Sequence, residues 1–271
     1  MQPDLVRRLI AEVVGTAILV AFGAGSVVAA LTLAGGTPNS TINYPALGMI
    51  ALTFGLAIAI AIYAYGTVSG AHINPAVTIS LAAVRRFPWA EVIPYIIAQL
   101  VGAFAGGLLI IAVFGTNAAN LGADGGTKLG TNVSWGAGIV AELIGTFLLV
   151  LAIMALAVDR RAPSGWAGLM IGFAVTAAIL MVGPLTGGSL NPARTFGPYL
   201  SATIFGGSVP WSDYWVYIVG PIVGGLLAAA SYEYVARPAR PEVAIEGAEG
   251  PVRGRKEPVP TEAGGATGRH V

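Results

Sequence analysis

Cysteine is absent from the 271 residues, and Asp, Glu, Lys and Arg together supply only 10% of them. The first absence excludes disulfides, thiol nucleophiles and cysteine-ligated metals, while leaving the compartment open. The shortage of charge is uneven. Between Glu12 and Arg85 there is no charged residue at all, and further uncharged runs cover 92–123, 143–158, 162–193 and 214–232. With 55% hydrophobic residues and a mean hydropathy of +0.77, the chain is too apolar for a soluble domain of this length and reads as an integral membrane protein. The runs are continuously apolar and do not alternate in ten-residue segments, so helices are expected and a barrel is not. A net charge of +1 points to no nucleic-acid partner. The first apolar run, Leu9 to Leu33, exceeds a signal-peptide core and reads as a retained span.

What is present is a pair of short motifs. Ser69-Gly70-Ala71-His72-Ile73-Asn74-Pro75-Ala76-Val77-Thr78 recurs, altered, as Gly187-Gly188-Ser189-Leu190-Asn191-Pro192-Ala193-Arg194-Thr195. In each copy the proline suits the first helical position, where its missing N–H costs nothing, and the asparagine suits the N-cap. The segments that follow, Pro75–Val84 and Pro192–Thr203, are apolar or small for only about ten residues, roughly 15 Å of helix and half of a ~30 Å hydrocarbon core. They are predicted to be half-helices.

Six full spans are predicted around them: 9–33, 46–65, 92–114, 135–158, 166–182 and 214–235. Ala11-Glu12-Val13-Val14-Gly15-Thr16 matches Ala141-Glu142-Leu143-Ile144-Gly145-Thr146, and the Tyr95–Gly102 stretch matches Tyr217–Gly224. Three spans per half is an odd number, so halves 5–114 and 135–235 form an inverted repeat whose half-helices enter from opposite faces and meet at the midplane. Arg7, Arg8, Arg85, Arg86, Arg160, Arg161 and the arginines after 236 fall on one side and Lys128 opposite, which puts both termini in the cytoplasm. Gly102 and Gly106, with Gly220 and Gly224, read as close helix crossings. Residues 1–235 make one channel-like unit, and 236–271, rich in Pro, Gly, Glu and Arg, read as a disordered cytoplasmic tail.

These paired motifs resemble those of the aquaporins and aquaglyceroporins, the major intrinsic proteins. Over about residues 5–235 the resemblance implies an all-α fold of six transmembrane helices plus two half-helices, and a homotetramer in the cell membrane with one pore per subunit. It implies a passive channel, not an enzyme, that needs no cofactor or metal and admits water and small uncharged solutes. Facing half-helix N-termini supply partial positive charge that repels cations. Asn74 and Asn191 would cap those ends and donate to the permeating molecule. By the same resemblance Phe54, Ile179, Gly188 and Arg194 form the aromatic/arginine filter. Isoleucine stands where water-only channels usually carry histidine, and Thr195 stands where glycerol facilitators usually carry aspartate. The set looks closer to archaeal-type aquaporins, so glycerol, urea and ammonia are expected as secondary permeants.

Other readings accompany these. Arg194, the one Lys or Arg inside the hydrocarbon region, is a functional residue by default or else a buried ion-pair partner of Glu142 or Glu12. Glu12 and Glu142 serve as a proton relay or as acceptors for the half-helix backbone, and the repeat favours the second. His72 reads as a pore-lining residue near the cytoplasmic mouth or as a pH gate. An inverted repeat also suits a secondary transporter of a small neutral solute, and Ser69 with His72 could be imagined as part of a hydrolase. Membrane lipid is the remaining expected partner.

Overall fold

The structure, a computed structural model, describes residues 4–236. It contains helices and no strand among these residues. Six helices are long and apolar enough to cross a membrane: α1 (Leu5–Leu33), α2 (Tyr44–Ser69), α4 (Trp89–Phe114), α5 (Trp135–Val158), α6 (Ala167–Thr186) and the last, whose regular part is α8 (Val216–Val235). Between them lie α3 (Pro75–Ala83) and α7 (Pro192–Ile204), which rise only about 14 and 20 Å at 1.5 Å per residue. Neither reaches across a bilayer. The expected tail lies outside the described residues, apart from Ala236.

The spans are apolar on every side, as a helix sandwiched between protein and lipid must be. In α4 the outward residues Ile93, Ile97 and Val101 are exposed, while Tyr95, Gln99, Gly102 and Gly106 face inward and are buried. Small inward residues let backbones touch. A Cβ on Gly102 would lie 2.2 Å from the Val13 carbonyl oxygen, and one on Gly224 would lie 2.2 Å from that of Leu143. The close crossings expected at these glycines are therefore present, between α1 and α4 and between α5 and α8. Each half-helix in turn packs on the last span of the other half, α3 on α8 and α7 on α4.

Two departures from regular helix were not expected. Leu19–Ala24 within α1 and Met154–Val158 at the end of α5 are π-helical. Such bulges recur at functional sites because the extra residue per turn redirects side chains and carbonyls.

The arginine-rich face is laced by ion pairs. Arg8 binds Glu91, and Arg86 Nη2 lies 2.7 Å from Glu233. Arg161 chelates Asp159, which also accepts from the Tyr232 hydroxyl at 2.8 Å. Hydrogen bonds from Arg161 hold the Asp159 carboxyl well below the usual carboxylate range.

Candidate functional site

Both motifs fold by the same local rules. Helix α2 ends at Gly70 (φ 87°) and α6 at Gly187 (φ 80°), each in the left-handed conformation that favours glycine and turns the chain back. The next residues form an irregular link, with positive φ at Ala71, Ile73, Gly188 and Leu190, that leads into the extended capping asparagines, Asn74 (φ −159°, ψ 120°) and Asn191 (φ −156°, ψ 110°). Asn74 Oδ1 accepts from Ala76 N at 2.9 Å, and Asn191 Oδ1 accepts from Ala193 N and Arg194 N at 3.0 and 3.2 Å.

Each asparagine amide then reaches across to the other motif. Asn74 Nδ2 donates to the Leu190 carbonyl and Asn191 Nδ2 to the Ile73 carbonyl, both at 2.8 Å. The two helix N-termini are thus bolted tip to tip. An amide nitrogen carries two hydrogens, so one on each asparagine is left over after this reciprocal bond.

Glu12 and Glu142 are fully buried behind the motifs and do not border the central cavity. Glu12 accepts from His72 N, Ile73 N, Ser69 Oγ and Gln99 Nε2 at 2.7–2.9 Å. Glu142 accepts from Ser189 N, Leu190 N and Thr186 Oγ1 at 2.6–2.9 Å. The backbone donors belong to the irregular link before each half-helix, which corrects the expectation that the half-helix backbone itself would supply them. Tyr95 and Tyr217 repeat the symmetry by donating to the carbonyls of Ser69 and Thr186, each at 2.9 Å.

The central cavity is bordered by Phe54, His72, Asn74, Ile179, Asn191 and Arg194 among others. It offers ≈ 40 Å³ to the centres of water-sized molecules, against the ~10–15 Å³ that one water requires. A short file of waters fits. A second cavity shares His72, Ala71, Val77 and Ile171 with the first, so the open space continues past the asparagines toward the arginine-rich face.

Arg194 is 1% exposed. Its Nη1 donates to the Gly125 carbonyl at 3.0 Å, and its Cζ sits 4.7 Å from the centre of the Phe54 ring. No ion pair joins it to Glu142 or Glu12 among the described residues, whose carboxylates are occupied by the donors above. Its Nε meets no protein acceptor and is fully enclosed. Gly188 is buried and packs beside Ile179, and it is not among the residues bordering the cavity. His72 is held by Thr78 Oγ1 at 3.1 Å from its Nδ1 and packs against the Phe87 and Tyr95 rings. Its Nε2 has no protein partner. Ser69 bonds to Glu12, and its hydroxyl also accepts from Ala71 N, so Ser69 and His72 do not form a nucleophile–base pair.

Sequence reasoning missed two supports of this arrangement. Gly23, in the π segment of α1, leaves room for the Phe54 ring, since a Cβ there would lie 2.3 Å from it. Gly125, in the 115–134 connection, supplies the carbonyl that holds Arg194. The glycine cluster Gly122, Gly125 and Gly126 was the available signal.

The whole of residues 1–232 matches the family model described as Major intrinsic protein. The chain is 50% identical over 241 residues to Aquaporin AqpM of Methanothermobacter marburgensis, covering 86% of this chain and 98% of that one. It is 46% identical over 242 residues to Aquaporin AqpM of Methanothermobacter thermautotrophicus, again covering 86% and 98%. Its fold is similar to that of the aquaglyceroporin from Plasmodium falciparum, with a TM-score of 0.73 and 28% identity over 86% of this chain and 97% of the other. Crossed asparagine amides, a buried arginine beside a water-sized passage and this match along the chain lead to one conclusion: the chain belongs to the major intrinsic protein family, as a passive channel for water and small uncharged solutes.

Proposed function

We propose that Phe54, Ile179, Gly188 and Arg194 form the selectivity filter of this channel, and that water passes fastest, with glycerol, urea and ammonia following more slowly. The reciprocal Asn74–Leu190 and Asn191–Ile73 bonds carry the reading. They aim two positive helix ends and two spare amide hydrogens at one point of the passage. A water held by both donors presents its lone pairs to the asparagines and cannot relay a proton along the file, while the helix ends, about half a unit charge each, repel cations. A coupled transporter is not favoured, because both buried glutamates lie off the cavity and are occupied by backbone donors. We further propose a homotetramer in the cell membrane, with both termini cytoplasmic and the central unit spanning 1–235.

Stopped-flow shrinkage of proteoliposomes tests the channel. Water flux well above that of empty vesicles is expected, and none would refute it. The filter assignment has its own test. Ile179→His places a polar ring where an apolar wall now stands, so glycerol flux is expected to fall several-fold with water flux largely kept; equal loss of both would show that Ile179 is not at the constriction. Gly188→Thr is a poorer probe, since Gly188 sits at φ +61° and a Cβ there would lie 3.2 Å from Ile179. Gly23→Ala is expected to push Phe54 toward Arg194 and lower water flux with little change in the amount of folded protein.

A further inference from the structure

The carbonyl that tethers Arg194 belongs to an unusual piece of backbone. Gly122, Ala123, Asp124 and Gly125 all have φ between +52° and +73°, a complete left-handed turn. Residues with a Cβ take that conformation singly and at a cost, so something must hold Ala123 and Asp124 there. Two contacts do. A Cβ on Gly125 would lie 2.1 Å from the Ala24 carbonyl oxygen, so the turn is pressed against the π segment of α1. The Asp124 side chain is fully buried and hydrogen-bonds Ser201 of α7 through Oδ2, while Oδ1 has no partner.

The surroundings of Asp124 favour its neutral form. Its hydroxyl has one hydrogen and two acceptors within reach, the Asp124 carboxyl and the Pro198 carbonyl at 3.1 Å. A neutral Asp124 accepts that hydrogen at Oδ2 and buries no charge. An ionised Asp124 would instead leave a buried charge with a single hydrogen bond. No neighbouring cation compensates. The packed stretches of α1 (19–33) and α4 (100–114), and residues 116–120, carry no titratable side chain. From α7, the Arg194 guanidinium is turned to the Gly125 carbonyl and the Tyr199 hydroxyl donates to the Thr127 carbonyl at 2.6 Å. Lys128 is exposed to solvent.

We propose that Asp124 is a positioning residue for the filter: when neutral it locks the turn that holds the Gly125 carbonyl on Arg194, and when ionised it loosens the turn and frees the guanidinium. This rests on Arg194 lining the constriction. Burial pushes the Asp124 carboxyl up to about 7, against the opposing hydrogen bond from Ser201. The locked form therefore prevails below neutral pH and is lost above it, and the channel becomes less selective on the alkaline side.

Water and glycerol fluxes through the full chain in proteoliposomes, with inner and outer pH matched from about 5.5 to 8.5, test this. The glycerol-to-water ratio is expected to rise several-fold with a midpoint near 7. Asp124→Asn, which stays neutral and keeps an oxygen to accept from Ser201, is expected to hold the low-pH ratio throughout. Ser201→Ala removes the hydrogen bond that favours the charged carboxyl and is expected to move the midpoint upward. A flat wild-type ratio overturns the proposal, as does a titration that survives in Asp124→Asn or, should that variant not insert, a midpoint unmoved in Ser201→Ala. Absent water flux at every pH would instead refute the channel itself.

Discussion

Glu142→Ala is expected to unfold the second motif. The carboxylate satisfies the backbone N–H groups of Ser189 and Leu190 and the Thr186 hydroxyl, and all four residues are buried. Stranding a buried donor costs about 1–3 kcal/mol, so the two N–H groups alone represent roughly 2–6 kcal/mol, a large part of the ~5–15 kcal/mol typical of a folded domain. Thermal unfolding in detergent should show a severe loss of stability or aggregation. Glu142→Gln should fall between, because the amide oxygen keeps the Thr186 and Ser189 donors while its NH₂ is set against Leu190 N–H. A proton relay would give the opposite pattern: a normally folded Glu142→Ala protein with altered proton movement. Glu12→Ala is expected to behave like Glu142→Ala, since it strands His72 N–H and Ile73 N–H in the same way.

That duplication explains why so much was legible in the sequence. A charged residue in an apolar run is costly enough to need a fixed role, so Glu12, Glu142 and Arg194 stand out, and the paired Asn-Pro-Ala motifs identify their own helix starts by capping chemistry. Span limits follow from hydropathy to within four or five residues; α2 extends to Ser69 and not 65 because Gly70 stops it, and α6 to Thr186 and not 182 because Gly187 does. Contacts across the repeat were not legible. Nothing local in Asn74 or Asn191 says that one amide hydrogen goes to the opposite motif, since Leu190 and Ile73 offer only backbone carbonyls. The π segments carry no proline or charge to mark them. The left-handed turn at 122–125 is set by the Ala24 carbonyl and by Ser201, residues that approach only after α1 and α7 have packed.

The orientation of Arg194 thus depends on the fold at several removes. The π segment of α1 makes space for Phe54 through Gly23 and presents the Ala24 carbonyl to Gly125, so both walls flanking the Arg194 guanidinium are built on one six-residue irregularity. An aromatic face on one side and a carbonyl oxygen on the other fix a flexible side chain in one orientation. The Arg194 Nε is left without a protein acceptor.

Arg194→Ala should have the other large effect, and comparison with Arg194→Lys separates charge from shape. A unit charge held roughly 4 Å from a passing cation is worth about 4 kcal/mol at an effective dielectric near 20, close to three orders of magnitude in the cation's chance of entry at ~1.4 kcal/mol per decade. Alanine removes that barrier and opens the aperture beside Phe54, so glycerol flux should rise several-fold and a cation leak should become measurable with a pH-sensitive dye in proteoliposomes. The two half-helix ends persist in this variant, so the leak should stay far below that of an open pore. Lysine keeps the charge but loses the planar fork that bonds the Gly125 carbonyl and stacks on Phe54. It should therefore still exclude ions while passing glycerol faster than wild type. If Arg194→Lys and Arg194→Ala leaked cations equally, orientation of the fork, and not its charge, would be what the barrier requires.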